Sequence, residues 1–473
     1  MKQQIPWNNT APNDTVNHEP DLVFAAGSYN HHIANTAYPI NHVRTMRDYR
    51  IRNHKKQAFV EQAWDGIDEL GFYAHVPFCE QRCSFCEYTV VDPKKSHNVD
   101  THTLYFAKLQ REIEMYANLT DLGWKKIRGF DIGWGTPSAV DAIHIENLIN
   151  TIGKNFILPS TTNISIETTP KIASGEPEKI KAYRDMGIER ISMWVQSISK
   201  EVLEAVGRTN TSVDRNKKAT DHIRKAGFDS FNIDIMYGLV GQTVEKVQAT
   251  LQHVFDLNPE HITIYRTRYK WTRMQEKWYK LELEWIQDQS DLIKQMLSEH
   301  RYKALMGKNT FSRIPGSSGA STYLTERVVN GTPYVWVWLG AQSLGHKILS
   351  YNQGAGSKEM SNYFAYIEKN EFPIQDIYHL SPEAGAGKFV AVSFYFGGIH
   401  LPSFEDKFWK KLDEMFPQEV NFVIEQWYMQ YEEDRLQLTE KWTHNYSGVI
   451  SLFYAPSVKS HLIDLYQAWT SNG

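Results

Sequence analysis

Six short apolar or β-branched runs, each bounded by Gly, Pro or polar turn residues, punctuate the chain from residue 66 to about 290. They are Gly71–Pro77, Gly129–Gly133, Asn163–Glu167, Arg190–Gln196, Ser230–Tyr237 and His261–Arg266. Runs of this kind read as strands. Between them lie longer stretches with apolar residues at helical spacing, such as Thr103–Ala117 and Val244–Asp256. Strand–helix alternation repeated six times predicts a parallel sheet with right-handed crossovers. Six units fall short of a closed eight-stranded barrel, so the expected fold is α/β, an open, three-quarter (β/α)6 barrel. Its chemistry should lie at the C-terminal ends of the strands.

The flanking pattern is less regular. Residues 1–65, rich in Asn, His and Pro, read as an irregular arm with a turn at Asn35–Pro39 and a helix near Arg44–Trp64. The core is expected over 66–300, closing with a long helical stretch at about 270–300. Residues 301–378 carry Gly-, Ser- and aromatic-rich runs and should complete it. Residues 379–473 read as a separate, mainly helical unit, with a hairpin at Tyr446–Tyr454 and a last helix at Ser457–Trp469.

Composition narrows the function classes. At 473 residues the chain can bury a large core. Its 41% hydrophobic and 22% charged residues are ordinary for a soluble globular protein. A net charge of −4 gives no electrostatic reason to expect nucleic acid. No run is apolar enough to span a membrane, and the polar start Met1-Lys-Gln-Gln-Ile-Pro6 has no signal region. Three clustered cysteines make no disulfide framework, which points to a reducing, cytoplasmic compartment. A monomer is expected.

All three cysteines stand in one stretch, His75-Val-Pro-Phe-Cys79-Glu-Gln-Arg-Cys83-Ser-Phe-Cys86. Soft thiolates favour zinc or an iron–sulfur cluster. Structural zinc takes four ligands, and no fourth cysteine exists. A four-iron cluster held by three thiolates keeps one iron open to a ligand. The Cys-x3-Cys-x2-Cys spacing after a strand resembles the signature of the radical S-adenosylmethionine (SAM) superfamily.

Further motifs fall at the predicted strand ends. Strand two ends in Gly133-Trp134-Gly135-Thr136-Pro137, similar to the superfamily's Gly-Gly-Gly-Thr-Pro, whose backbone binds the methionyl amino group of SAM. Strand three ends at Glu167, a carboxylate suited to a cationic ligand. Strand four ends in Trp194-Val195-Gln196, followed by Gly207-Arg208. Gln196 suits a ribose hydroxyl, and Arg208 suits a carboxylate gripped by two parallel hydrogen bonds. Asp234 lies in an otherwise apolar strand and must be paired or face a polar cavity.

Together with Tyr73-Ala-His75, Ile233-Asp234-Ile-Met-Tyr237, Tyr265 and Leu339-Gly340-Ala341, these motifs resemble the oxygen-independent coproporphyrinogen III oxidase-like family of radical SAM enzymes. The resemblance covers about residues 66–375. It implies that Cys79, Cys83 and Cys86 ligate a [4Fe–4S] cluster and that SAM binds the fourth iron. It implies that Phe85 contacts adenine, that Tyr73, Gln196 and Asp234 line the SAM and ribose site, and that Gly135, Thr136, Glu167 and Arg208 hold the methionine end. Reductive cleavage of SAM to a 5′-deoxyadenosyl radical would follow, fed by an electron donor such as a flavodoxin or ferredoxin. Several family members bind a second SAM.

The departures concern what the radical attacks. The true oxidase has a further cysteine two residues after the last cluster cysteine, and here Tyr88 takes that place. Trp134 and Trp194 replace glycines, and their indoles are expected to stack near the site. Trp134, Trp194, Tyr265 and Arg266 are the candidate substrate pocket, with Arg268 and Arg313 as further carboxylate grips. On these grounds the expected reaction is transfer of a SAM-derived methyl or methylene group to a small molecule, as in the family's class C branch. The rivals are tetrapyrrole chemistry (decarboxylation or heme opening), a non-catalytic heme chaperone, and a zinc protein.

Overall fold

The computed structural model describes residues 6–9, 17–33, 38–91, 99–119, 124–209, 211–281, 283–304 and 309–471. Six strands stand where the pattern put them: β1 (Glu69–Val76), β2 (Lys126–Gly135), β3 (Ile164–Thr168), β4 (Arg190–Gln196), β5 (Ser230–Tyr237) and β6 (His261–Arg266). Each pairs in parallel with the next. The crossover helices include Val99–Ala117, Ala142–Asn155, Val213–Ala226 and Val244–Leu257. Their limits follow local chemistry. Ser212 and Thr243 cap N-termini by accepting from the Arg215 and Lys246 amides, and Gly227 and Asn258 end helices in the left-handed conformation.

Among the described residues the sheet is open. On the β6 edge it gains the antiparallel β7 (Thr310–Ser312). On the β1 edge it gains β8 (Tyr334–Val337), parallel to β1, then β9 (Gln342–Leu344), β10 (Ile348–Asn352) and β11 (Ile374–His379), each antiparallel to its neighbour. The segment after residue 300 thus supplies both edges of an 11-stranded sheet.

From Pro382 onward the chain is mainly helical, with a small antiparallel sheet of Gly398–His400, Arg435–Leu438 and Met429–Glu432. One buried apolar cluster runs from Val23 to Ile463, so the N-terminal arm, the sheet and the C-terminal helices share a core. No described helix is long and apolar enough to cross a membrane.

Three expectations are corrected. The stretch Arg44–Trp64 is no continuous helix. It breaks into His42–Thr45, two 3-10 turns and Lys56–Gln62, because Arg50 and Ile51 run extended beside β11, where the Ile51 amide donates to Ile377 at 2.9 Å. The hairpin expected at Tyr446–Tyr454 is a helix, Tyr446–Ser451. Small residues decide it: the arm helix Pro20–Tyr29 crosses there so closely that a Cβ on Gly27 would lie 2.0 Å from Ser451 Oγ. The arm is therefore built into the fold. Within the expected Asn35–Pro39 turn, Asn35 to Ala37 lie outside the described residues, as does the polar start at 1–5. The helical stretch at 270–300 resolves into a 3-10 turn, Gln275–Lys280, and the helix Leu283–Glu299.

Candidate active site

The cysteine loop leaves β1 at Val76 and is pinned on several sides. The Thr136 amide donates to Phe78 O (2.7 Å), the Val91 amide to Pro77 O (2.8 Å) and the Ser84 amide to Val206 O (2.9 Å). Cys79, Cys83 and Cys86 border one cavity of about 170 Å³. Its other walls are the ends of β2 to β6: Gly135 and Thr136, Glu167, Trp194 and Gln196, Asp234 and Met236, then Tyr265 and Arg266. Strand register explains the convergence. Trp194 lies opposite Asp234, and Met236 opposite Tyr265. Phe85 and Arg208 complete the wall, with Phe85 packed on the apolar cluster of Val202, Val206 and Leu239.

Two of these strand ends are bulged, which re-aims their side chains. Trp134 is the extra residue between the His75–Gly133 and Val76–Gly135 pairs, at φ +50°. Gly135 follows at φ +72°, where a Cβ would stand 2.0 Å from Val76 O. On β4, Val195 is the extra residue and Gln196 takes φ +65°. The first bulge turns the Trp134 indole toward β1 and β8, away from β4. It stacks on Tyr88 at 4.4 Å and meets the rings of Trp336 and Trp338 edge-on at 4.6 and 5.6 Å. No ring contact joins Trp134 to Trp194, so the expected indole pair does not form, although both border the cavity.

The electrostatics are those of a desolvated polar site. Glu167 accepts from the Trp134 amide at 2.9 Å. Desolvation, then the nearby Asp234, holds its pKa well above the carboxylate range. Asp234 accepts from Asn232 at 2.6 Å, and desolvation raises it to about 6. Arg208 Nη1 lies 3.8 Å from Cys83 Sγ, and Thr136 Oγ1 lies 3.5 Å from Cys79 Sγ. Desolvation pushes the Cys79 thiol up, and the Cys86 thiol up to about 11. These thiols stay protonated at neutral pH unless a cationic centre displaces the protons.

Residues 73–254 match the Radical SAM superfamily. The chain carries a radical SAM domain. It is 30% identical over 200 residues to the heme chaperone HemW of Haemophilus influenzae, covering 42% of this chain and 51% of that protein. It is 32% identical over 196 residues to the oxygen-independent coproporphyrinogen III oxidase of Escherichia coli, covering 41% of each. The chain thus spans about half the length of the first relative and less of the second. The solved coproporphyrinogen III oxidase (HemN) from Escherichia coli shares the fold, with a TM-score of 0.70 at 22% identity over 84% of this chain and 93% of that one.

The radical SAM domain implies a [4Fe–4S] cluster and SAM, and the cavity suits both. Among the described residues no three His, Cys, Asp or Glu side chains close on a single metal ion, yet the three thiols border one space. Gln196 Oε1 and Arg208 Nε are buried on the wall without a hydrogen-bond partner, as polar groups reserved for a ligand would be.

Two expected site residues stand elsewhere. Tyr73 is not on the cavity wall. It lies behind Trp134, its hydroxyl 2.3 Å from where a Gly133 Cβ would be. Arg313 is outside the site, paired with Glu260 at 2.8 Å. Tyr88, Tyr265, Arg266 and Arg268, all singled out in the sequence, together with Glu87 divide the cysteine cavity from a second chamber of about 100 Å³. Its far side is formed by Lys294, Asn309, Tyr395 and Tyr446, which no motif announced.

Proposed function

We propose that the chain is a radical SAM enzyme acting on a tetrapyrrole. The carrying observation is the single cavity bordered by three thiols together with Gly135, Thr136, Glu167, Gln196, Arg208 and Asp234. Cys79, Cys83 and Cys86 would hold a [4Fe–4S] cluster, which would supply the electron for reductive cleavage of SAM. The chain's own groups position and shield. Arg208 grips the methionyl carboxylate, and Glu167 with the Gly135 backbone holds the amino group. Gln196 and Asp234 take ribose hydroxyls, and Phe85 covers adenine. The Trp134–Tyr88 stack keeps water from one side of the cavity. The external electron donor is of flavodoxin or ferredoxin type. Support for a tetrapyrrole comes from the relatives, named for heme and for coproporphyrinogen III.

Methyl or methylene transfer to a small aromatic molecule takes second place. One observation favours it: Tyr88 stands where the oxidases have a cysteine. None of the relatives described above is named for that chemistry.

Anaerobic reconstitution with iron and sulfide, then dithionite, SAM and either coproporphyrinogen III or heme, tests the proposal by mass spectrometry. 5′-Deoxyadenosine should form faster with the tetrapyrrole present and not at all in Cys83→Ala. S-adenosylhomocysteine formed only with small aromatic acceptors would move the assignment to methyl transfer. A shifted Soret band without SAM cleavage would move it to heme carriage.

A further inference from the structure

The second chamber adjoins the cysteine cavity across Tyr88, Tyr265 and Arg268. We infer that this chamber is a carboxylate subsite, which holds one acid arm of the substrate while the body of the molecule reaches back to the cysteine cavity. The inference rests on the radical SAM reading of that cavity.

Charge carries it. Arg268 Nη1 is buried without a hydrogen-bond partner, and its guanidinium lies over the Tyr446 ring at 5.0 Å. Desolvation and the neighbouring Arg266 push Arg268 down to about 9. Arg266, Arg268 and Lys294 share the chamber wall with one acid, Glu87. Against that single acid the three cations leave the chamber wall with an excess of positive charge. Lys294 is engaged already, donating to Thr443 and the Glu440 carbonyl. A desolvated cation facing another cation is costly until an anion joins it. A carboxylate matches the planar guanidinium fork.

Size and shape then select an arm rather than a whole ligand. About 100 Å³ is well under a complete ligand pocket. Ile264, Ile293 and Phe311 give the chamber an apolar side suited to a short methylene chain. The Tyr265 and Tyr395 hydroxyls lie 3.2 Å apart. One phenol proton is used between them, and the other is free to meet a carboxylate oxygen. A propionate-length arm fits, whether it comes from a tetrapyrrole or from a small aromatic acid.

The test uses the reconstituted full chain and tryptophan fluorescence titrations with coproporphyrin III, its tetramethyl ester, and 3-phenylpropionate with its methyl ester. An acid should bind at least tenfold more tightly than its ester. Coproporphyrin binding alone identifies a tetrapyrrole arm, and phenylpropionate binding alone a small acid. Arg268→Gln should erase the preference for acid over ester, Arg268→Lys should keep part of it, and the remote Arg313→Gln should behave as wild type. Equal binding of acid and ester, or of neither acid, by the wild-type chain overturns the subsite, and that comparison needs no folded variant. SAM cleavage is followed in the same samples. Cleavage without acid preference refutes the subsite alone. Acid preference without cleavage refutes the enzyme assignment and leaves the subsite standing.

Discussion

Arg208 ties the cysteine loop to the β4 bulge: Nη1 approaches Cys83 Sγ at 3.8 Å, and Nη2 donates to the Trp194 carbonyl. Hydrogen bonds to ligand sulfurs are among the levers that set iron–sulfur potentials. A cationic donor favours the more negative, reduced form. Arg208→Gln should therefore lower the midpoint potential of the reconstituted cluster as well as weaken SAM binding. A tenfold change in the one-electron equilibrium would read as about 59 mV. An electron paramagnetic resonance redox titration measures it. A potential equal to wild type would mean that the contact with Cys83 has no electronic effect.

Trp134 bears two opposed contributions. Its positive φ costs about 1 kcal/mol. Its ring packing against Tyr88, Trp336 and Trp338 is worth about 3 kcal/mol. Trp134→Gly removes both, so a net loss of about 2 kcal/mol is expected in denaturant unfolding. The cavity should widen, and bulkier substrates should gain relative to small aromatic ones. A loss of about 3 kcal/mol, the packing alone, would show that the left-handed backbone there is not strained.

Asp131 on β2 makes stability depend on pH. Ser321 donates to it at 2.6 Å, but desolvation raises its pKa from 3.8 to about 7. The folded chain then keeps a proton that the unfolded chain releases. The stabilising contribution is complete below about pH 4 and is lost as pH rises through about 7. Asp131→Asn should flatten that part of the curve and gain on the order of 1 kcal/mol at about pH 8. Urea titrations of both forms across this range check the sign.

Glu112 is a second desolvated acid, raised to about 8 and therefore protonated at neutral pH. It joins the helix Val99–Ala117 to Asn352 and Tyr363, both at 2.6 Å. Glu112→Gln keeps the shape and charge of the protonated acid and should change stability by less than about 1 kcal/mol. Glu112→Ala leaves the Asn352 and Tyr363 donors buried and should cost about 3 kcal/mol. Thermal unfolding separates the two. An equal loss in both variants would mean that the native group is ionised.

The six parallel strands were legible because each is a short apolar run between turn residues, and the observed β4, β5 and β6 coincide with the runs in the sequence. Glu167, Gln196 and Asp234 were legible for a related reason: a strand facing a cavity interrupts its apolar pattern with a polar residue. The cysteines, in the loop after β1, stood out by their spacing. Ile51 was not, since its extended conformation is imposed by β11, far away in the chain. The run Tyr446–Ser451 carries β-branched residues and turned helical because Gly27 lets another helix lie against it. Tyr395, Lys294 and Tyr446 are single residues on separate elements, and only the folded chain brings them to one chamber. The bulge that turns Trp134 away from Trp194 leaves no mark in the local sequence beyond its flanking glycines.

The two edges of the large sheet are closed by strands that come late in the chain: Gly71 on β1 waits for Tyr334, and His261 on β6 for Ser312. During synthesis the six βα units leave the ribosome first. Until residues beyond 310 follow, both borders of the half-made sheet expose rows of unpaired amides and carbonyls, which are templates for association with other chains. Pairings so distant in sequence also form slowly. The nascent radical SAM half is therefore the aggregation-prone species of this protein, and shortening the chain ahead of β8 would trap it in that state.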